Sequence, residues 1–272
     1  MVIKDDGRMT IKLAIHGAAG RMGQRVTALA TIDPRFEIVA ALELATHAAL
    51  GQDVGVLAGV GEIDVPLSVV GESDADVVID FSVPDAAVAA VAHCLEYHKP
   101  VVIATTGFDD KQQDYIRKSA EKIPVVWAPS MSTAVNLVMK LTEIAGQVLK
   151  KVPSGVDVEI IERHHRFKED APSGTALRFG QIVADAMGQT EHTHGRAGRP
   201  GPRLREEIGY HAVRVGDNPG EHTILFGMLG ETIELRAAAS NRDCYAQGAL
   251  LAAEWLVGKS PGLYGMNDVL GL

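Results

Sequence analysis

Through the first half of the chain, short continuous apolar runs alternate with longer stretches whose apolar positions recur at helical spacing. The runs are residues 11–16, 37–42, 75–81 (ADVVIDF), 100–104 (PVVIA) and 123–127. Each is too short for a helix and reads as a strand, and 75–81 reads as one buried on both sides. Between them, 24–31, 84–97 and 109–122 have helical composition, the second opened by Ser82-Val83-Pro84 with proline in its first turn. Residues 51–61 are glycine-spaced and read as a loop. Strand–helix alternation with short connections predicts a Rossmann-type doubly wound parallel sheet, in which ligands lie at the carboxyl ends of the strands.

The pattern changes near residue 133. A long amphipathic helix is predicted over 133–151, closed by Pro153-Ser154-Gly155. An apolar run at 156–161 then feeds an ionisable stretch, and a helical segment at 176–187 leaves it. Residues 188–202, rich in Gly, His, Arg and Pro, predict an exposed, mobile loop. Three runs of strand composition follow at 207–215, 222–228 and 231–238, separated by Gly216-Asp217-Asn218-Pro219-Gly220 and Leu229-Gly230. They predict an α+β domain with a mainly antiparallel sheet. A helix at 243–257, with small residues on one face, is expected to return to the first domain.

Composition narrows the class. The 272 residues leave room for two domains of ordinary size. A net charge of −9 argues against a nucleic-acid partner, which wants a basic footprint. No run has the length of a membrane span, so no membrane partner is expected. The opening residues 1–8 are too acidic for a secretory signal and read as a frayed leader. Cys94 and Cys244 sit in apolar helical contexts without partner spacing. They read as small buried hydrophobes in a reducing cytoplasm, with neither a disulfide nor a metal site expected. His192 and His194 lack a third ligand at suitable spacing and read as loop residues.

The candidate chemistry lies in two places. After the first strand comes Gly17-Ala18-Ala19-Gly20-Arg21-Met22-Gly23, a strand–turn–helix junction whose glycines let backbone amides approach a pyrophosphate. Glu43 stands twenty positions past Gly23 at the end of the second strand, where a carboxylate can take an adenosine ribose. No Arg or Lys follows it; Leu44-Ala45-Thr46-His47 do, which leans the cofactor towards NADH over NADPH. Thr105, Thr106, Gly107 and the 128–131 loop (Ala128, Pro129, Ser130, Met131), at the ends of later strands, are placed to line the same crevice.

The second place is Glu162-Arg163-His164-His165-Arg166-Phe167-Lys168-Glu169-Asp170-Ala171-Pro172-Ser173-Gly174-Thr175. Histidine is the natural proton donor or acceptor near neutral pH, and Lys168 adds a point cation. Pro172-Ser173-Gly174-Thr175 offers a helix N-terminus with a cap, free amides and a hydroxyl, which suits a carboxylate.

This second stretch resembles the hallmark of the dihydrodipicolinate reductase family. So do Gly17-Ala18-x-Gly20-Arg21-Met22-Gly23, Ile79-Asp80-Phe81-Ser82, Thr105-Thr106-Gly107-Phe108, Gly220-Glu221-His222-Thr223, Gly262-Leu263-Tyr264 and Asp268-Val269-Leu270. The resemblance implies NADH- or NADPH-dependent reduction of 4-hydroxy-tetrahydrodipicolinate, a cyclic dicarboxylate, with loss of water, in the diaminopimelate route to lysine. It implies His164 as the catalytic proton donor with Lys168 as its partner, and a substrate held by His165, Ser173, Gly174 and Thr175. It implies a nucleotide held by Gly17, Ala18, Ala19, Gly20, Arg21, Met22, Glu43, Ala104, Thr105, Thr106, Ala128, Pro129, Ser130 and Met131. The expected domains are 1–132 with 241–272 for the dinucleotide and 133–240 for substrate and oligomerisation, in a cytoplasmic homotetramer. Three positions depart from the family pattern: Leu44 where some members carry an arginine, Ser130 where asparagine is usual, and Ala134 where glycine is usual.

Overall fold

The computed structural model describes residues 2–3 and 9–272. The leader expected at 1–8 lies outside them, apart from β1 (Val2–Ile3), which pairs antiparallel with β2 (Met9–His16). The chain divides into two compact units, one formed by residues up to Thr133 together with Arg242–Gly271, the other by Ala134–Asn241.

In the first unit, β2 leads into α1 (Arg21–Ile32), β3 (Phe36–Leu42), α2 (Val54–Ala58), β4 (Leu67–Ser68), β5 (Val77–Asp80), α3 (Pro84–Glu96), β6 (Val101–Ile103), α4 (Asp110–Ala120) and β7 (Pro124–Trp127). With β13 (Gly262–Tyr264), seven of these strands form a parallel run in the order β13-β7-β6-β5-β2-β3-β4. Core strands such as β5 and β6 are buried at every position, as a sheet covered on both faces requires. One face packs Leu13, Ile15, Val26 and Ala30 against Ala246, Ala249, Ala253 and Leu256 of α7 (Asp243–Leu256). The other packs Val78, Val101 and Ile103 against Ala87, Val91 and Cys94 of α3 and Ile116 of α4. Cys94 is therefore a core residue, and burial pushes its thiol up to about 12. α7 needs its small residues: a Cβ on Gly248 would lie 1.7 Å from the Met131 carbonyl oxygen. α8 (Met266–Leu270) follows β13.

Two boundaries differ from expectation for local reasons. α1 starts at Arg21 rather than 24, because Gly23 lets the first turn settle onto the preceding loop; a Cβ there would lie 2.2 Å from the Gly17 oxygen. The loop expected at 51–61 contains α2, nucleated by the Asp53 carboxylate accepting from the Gly55 and Val56 amides and ended by left-handed Gly59.

The second unit holds α5 (Thr133–Leu149), β8 (Asp157–His164), α6 (Gly174–Met187), β9 (Glu191–His194), β10 (Glu207–Arg214), β11 (Glu221–Met228) and β12 (Glu231–Ala238). Its sheet runs β12-β11-β8-β10-β9. β11 pairs antiparallel with β12, as the Leu229-Gly230 turn predicts, but the 216–220 turn does not make a hairpin: β8 lies between β10 and β11, antiparallel to β11 and parallel to β10, which also pairs parallel with β9, so the sheet is mixed. The parallel part exists because the long excursion from β8 through α6 returns the chain in β8's own direction. β9 falls inside the stretch expected as a loop; His192 and His194 lie on it, stack on Tyr210, and His192 Nδ1 is 2.8 Å from the Tyr210 hydroxyl. The core joins Val158 and Ile160 of β8, Phe179 and Val183 of α6, Ile208 and Tyr210 of β10, and Ile224 and Phe226 of β11. Among the described residues no helix is long and apolar enough to cross a membrane.

Candidate active site

In the first unit, parallel strands bring their carboxyl ends to one rim. There lie the 17–20 turn after β2, Glu43 after β3, Asp80–Ser82 after β5, Ala104–Thr106 after β6 and Ala128–Met131 after β7. The turn is tight. Gly17 has φ +75° and a Cβ there would lie 2.6 Å from the Phe81 oxygen, while one on Gly20 would lie 3.2 Å from the Gly17 oxygen. Not all its amides are available: Gly17 and Ala18 donate to the Leu42 carbonyl at 2.9 and 3.2 Å, and Gly20 donates to Gly17 at 3.0 Å. What can meet an anion is the start of α1, whose first turn Arg21-Met22-Gly23-Gln24 contains no acid to oppose the helix dipole. The Glu43 carboxylate leans over the turn and accepts from the Ala19 amide at 3.3 Å and from the Leu44 amide at 3.1 Å. A glycine cradle without room for Cβ atoms, a free helix start and a carboxylate beside it fit a dinucleotide.

Other members of the predicted set serve the scaffold. Met131 is 1% exposed and belongs to the core, so this position has only its backbone to offer a ligand. Thr105 is buried; its hydroxyl donates to Asp80 Oδ2 at 2.6 Å and accepts from the Ser82 amide at 3.1 Å. Asp80 Oδ1 also accepts from Ser82 Oγ at 2.6 Å and faces His16 Nδ1 at the same distance. His16, Asp80 and Ser82 were invisible as a group in the sequence, because sheet register brings them together.

In the second unit, β8 alternates exposed and buried positions, and Val158, Ile160, Glu162 and His164 share its inner face. The first two supply core; the last two carry charge into it. Glu162 is 1% exposed. Arg214, at the end of β10 and in register with His164, grips it bidentately, Nη1 to Oε2 at 2.9 Å and Nη2 to Oε1 at 2.8 Å. The Ser173 amide donates to Oε1 at 3.1 Å, and His164 Nδ1 bonds to Oε2. These donors hold Glu162 below the usual carboxylate range, although burial works the other way. Burial lowers His164 below the ordinary histidine value; Glu162 opposes that, and the cations Lys168 and Arg214 reinforce it.

His222 on β11 stands opposite Glu162 and closes the group. Its ring meets His164 edge-on at 5.2 Å and Phe179 at 5.8 Å, and its Nε2 is 3.1 Å from Ser173 Oγ. Burial pushes it down to about 4, so it is neutral at pH 7. The Ser173 hydroxyl also caps α6 by accepting from the Ala176 amide at 3.2 Å. That leaves the amides of Gly174 and Thr175 at the helix start, with open space where a Gly174 Cβ would stand. β8 ends at His164, and 165–168 is a turn, closed by the Lys168 amide donating to the His165 carbonyl at 3.1 Å. His165 has a buried Nδ1 that no described residue satisfies. Lys168 pairs with Asp170 at 2.8 Å. One loop thus gathers an imidazole, a cation, an unsatisfied ring nitrogen and a helix start. Such a set can hold an anion and exchange a proton beside it. Glu162 and Arg214 complete it but were not singled out from sequence. Glu162's place two residues before His164 on one strand face was a readable signal; Arg214's register was not.

The comparisons with known proteins agree over nearly the whole chain. The family profile described as dihydrodipicolinate reductase, N-terminus, matches residues 11–131, and its C-terminal counterpart matches 134–270. A protein of Rhodopirellula baltica named 4-hydroxy-tetrahydrodipicolinate reductase is 56% identical, covering 98% of each chain. One of Syntrophotalea carbinolica with the same name is 45% identical over 96% of this chain and 99% of its own. The solved structure of a dipicolinate-bound dihydrodipicolinate reductase from Paenisporosarcina sp. TG-14 superposes with a TM-score of 0.75 at 27% identity, covering 96% of this chain and 99% of that one. On these matches, this chain belongs to the dihydrodipicolinate reductase family.

Proposed function

We propose that the chain reduces 4-hydroxy-tetrahydrodipicolinate to tetrahydrodipicolinate with loss of water, in the diaminopimelate route to lysine. The observation that carries the reading is the buried His164–Glu162 pair beside Lys168 and the free start of α6. A bound nicotinamide cofactor supplies a hydride to the ring carbon left electrophilic when the 4-hydroxyl departs as water. Charge then develops on the conjugated imine side of the ring, and His164 delivers a proton there. Lys168, His165 and the Gly174 and Thr175 amides hold the two carboxylates and orient the ring. Ser173 acts at one remove, by capping α6. In the first unit, Gly17 to Met22, Glu43, Ala104–Thr106 and Ala128–Met131 form the nucleotide rim, with the α1 start taking the pyrophosphate and Glu43 the adenosine ribose.

NADH is the preferred donor in this reading. Glu43 is anionic, and Leu44, 50% exposed, offers no charge to a 2′-phosphate. The protein works in the cytoplasm as a homotetramer joined through the second sheet. The exposed apolar residues Ile161 of β8 and Val213 of β10, which share the outer face of the sheet, support that surface. The deciding experiment is oxidation of NADH, run beside NADPH, with freshly made dihydrodipicolinate synthase product. Loss of nicotinamide absorbance is expected with both and faster with NADH; no oxidation with either sinks the reading.

A further inference from the structure

We propose that Glu162 is the positioning residue of this reaction: it fixes His164 with Nδ1 inward, leaves Nε2 to deliver the proton, and ties that imidazole to the carboxylate-holding turn. The inference rests on the reading of His164 as proton donor. Glu162 and His164 are two apart on the buried face of β8, so the strand itself sets their approach. Oε2 meets His164 Nδ1, and Oε1 takes the Ser173 amide at 3.1 Å. One carboxylate therefore joins the imidazole to the first turn of α6, and neither can shift alone. Arg214 locks the carboxylate from β10 with both guanidinium nitrogens, and its Nη2 also donates to the Asp170 carbonyl at 2.6 Å, fixing the intervening loop. With His164, Ser173 and Arg214 as donors, Glu162 has no need of the substrate. It acts through its neighbours.

The charge balance points the same way. The ionisable groups around His164 are Glu162 on its own strand, Lys168 and Asp170 in the following turn, Arg214 on β10 and His222 on β11. Lys168 and Arg214 disfavour an imidazolium, His222 is neutral, and Asp170 is engaged by Lys168. Glu162 is the anion that bonds the ring. It favours the protonated form needed at the moment of transfer, and it sets the tautomer whenever the ring is neutral.

The test is the pH dependence of kcat/KM in Glu162→Gln and Arg214→Gln, with folding checked by circular dichroism and NADH affinity by titration. Wild type should show activity falling as pH rises and His164, held below the ordinary histidine value, loses its proton. Glu162→Gln should lower kcat by about 10²-fold and move that limb to lower pH, since the ring has lost its anion. Arg214→Gln should move it to higher pH, since a repelling cation is gone. Opposite shifts support the inference. Limbs that stay put while turnover falls would reduce Glu162 to mere support and overturn it. Should Glu162→Gln not fold, Arg214→Gln alone decides by the same criterion. Failure of the underlying reading looks different: near-normal turnover in His164→Gln removes the proton donor itself, whatever Glu162 does.

Discussion

His16 Nδ1 and Asp80 Oδ1 lie 2.6 Å apart between neighbouring parallel strands, with the two residues 2% and 1% exposed and paired in register. Asp80 also receives the Ser82 and Thr105 hydroxyls, so one buried carboxylate ties the ends of β2, β5 and β6 into a single rim. This fixes Thr105 as a structural hydroxyl, so a role for it in the proposed nucleotide rim falls to its backbone.

Asp80→Asn puts one carbonyl oxygen and an NH2 where two carboxylate oxygens served three side chains. The loss of charge-assisted bonds is expected to cost about 3 kcal/mol, measured by urea unfolding. On the proposed reading, nucleotide affinity should fall while affinity for a cyclic dicarboxylate, assigned there to the other unit, stays unchanged in separate calorimetric titrations. Equal weakening of both ligands would mean general unfolding instead of a rim effect.

His164→Gln should lower kcat by roughly 10²- to 10⁴-fold, the usual worth of a general acid, with NADH binding intact. Lys168→Ala should lower kcat and raise KM as well, because a carboxylate loses its cation. Single-turnover and steady-state kinetics with the native substrate separate the two effects.

Leu44→Arg should swing cofactor choice. A guanidinium beside the expected 2′-phosphate position is worth about 1.4 kcal/mol, or roughly tenfold in the NADPH:NADH ratio of kcat/KM. An unchanged ratio would place the adenosine ribose away from Glu43.

Acid should loosen the second unit. His222 sits at about 4 in the fold, against an ordinary value of 6.5. Between those values the unfolded chain binds a proton that the native one refuses, so stability falls as pH drops from 6.5 towards 4. The full window is worth up to about 3 kcal/mol. Glu162, held low in the fold, loses its contribution in the same direction as pH falls through its native value. His222→Gln should keep a partner for Ser173 and flatten the thermal-melting slope over this range.

The doubly wound sheet was legible because its five central strands, β2, β3, β5, β6 and β7, are short apolar runs alternating with helical segments, whereas the flanking β4 and β13 carry no such run and were not read. The long loop from His164 to Thr175 was legible because its residues are neighbours in sequence. What escaped was non-local. Arg214 reaches Glu162 through the parallel register of β10 on β8, and His222 through the antiparallel register of β11. No periodicity in either segment announces its partner. β9 was hidden by its composition: Glu191-His192-Thr193-His194 has no apolar alternation and is held as a strand by pairing with β10. α2 was hidden by the glycines on either side of it, which end and pack the helix and so mimic a loop.

Because α7 and β13 come from Arg242–Gly271, the first unit cannot close its hydrophobic core when residues 9–133 leave the ribosome. The face formed by Leu13, Ile15 and Val26 lacks its Ala246, Ala249, Ala253 and Leu256 cover until the entire second unit has been synthesised. Ala134–Asn241, by contrast, is one uninterrupted segment carrying all of its own core. The usual vectorial order, first-made domain first, is therefore inverted here. Ala134–Asn241 can mature on the ribosome while the first unit waits, half-covered, for its last helix.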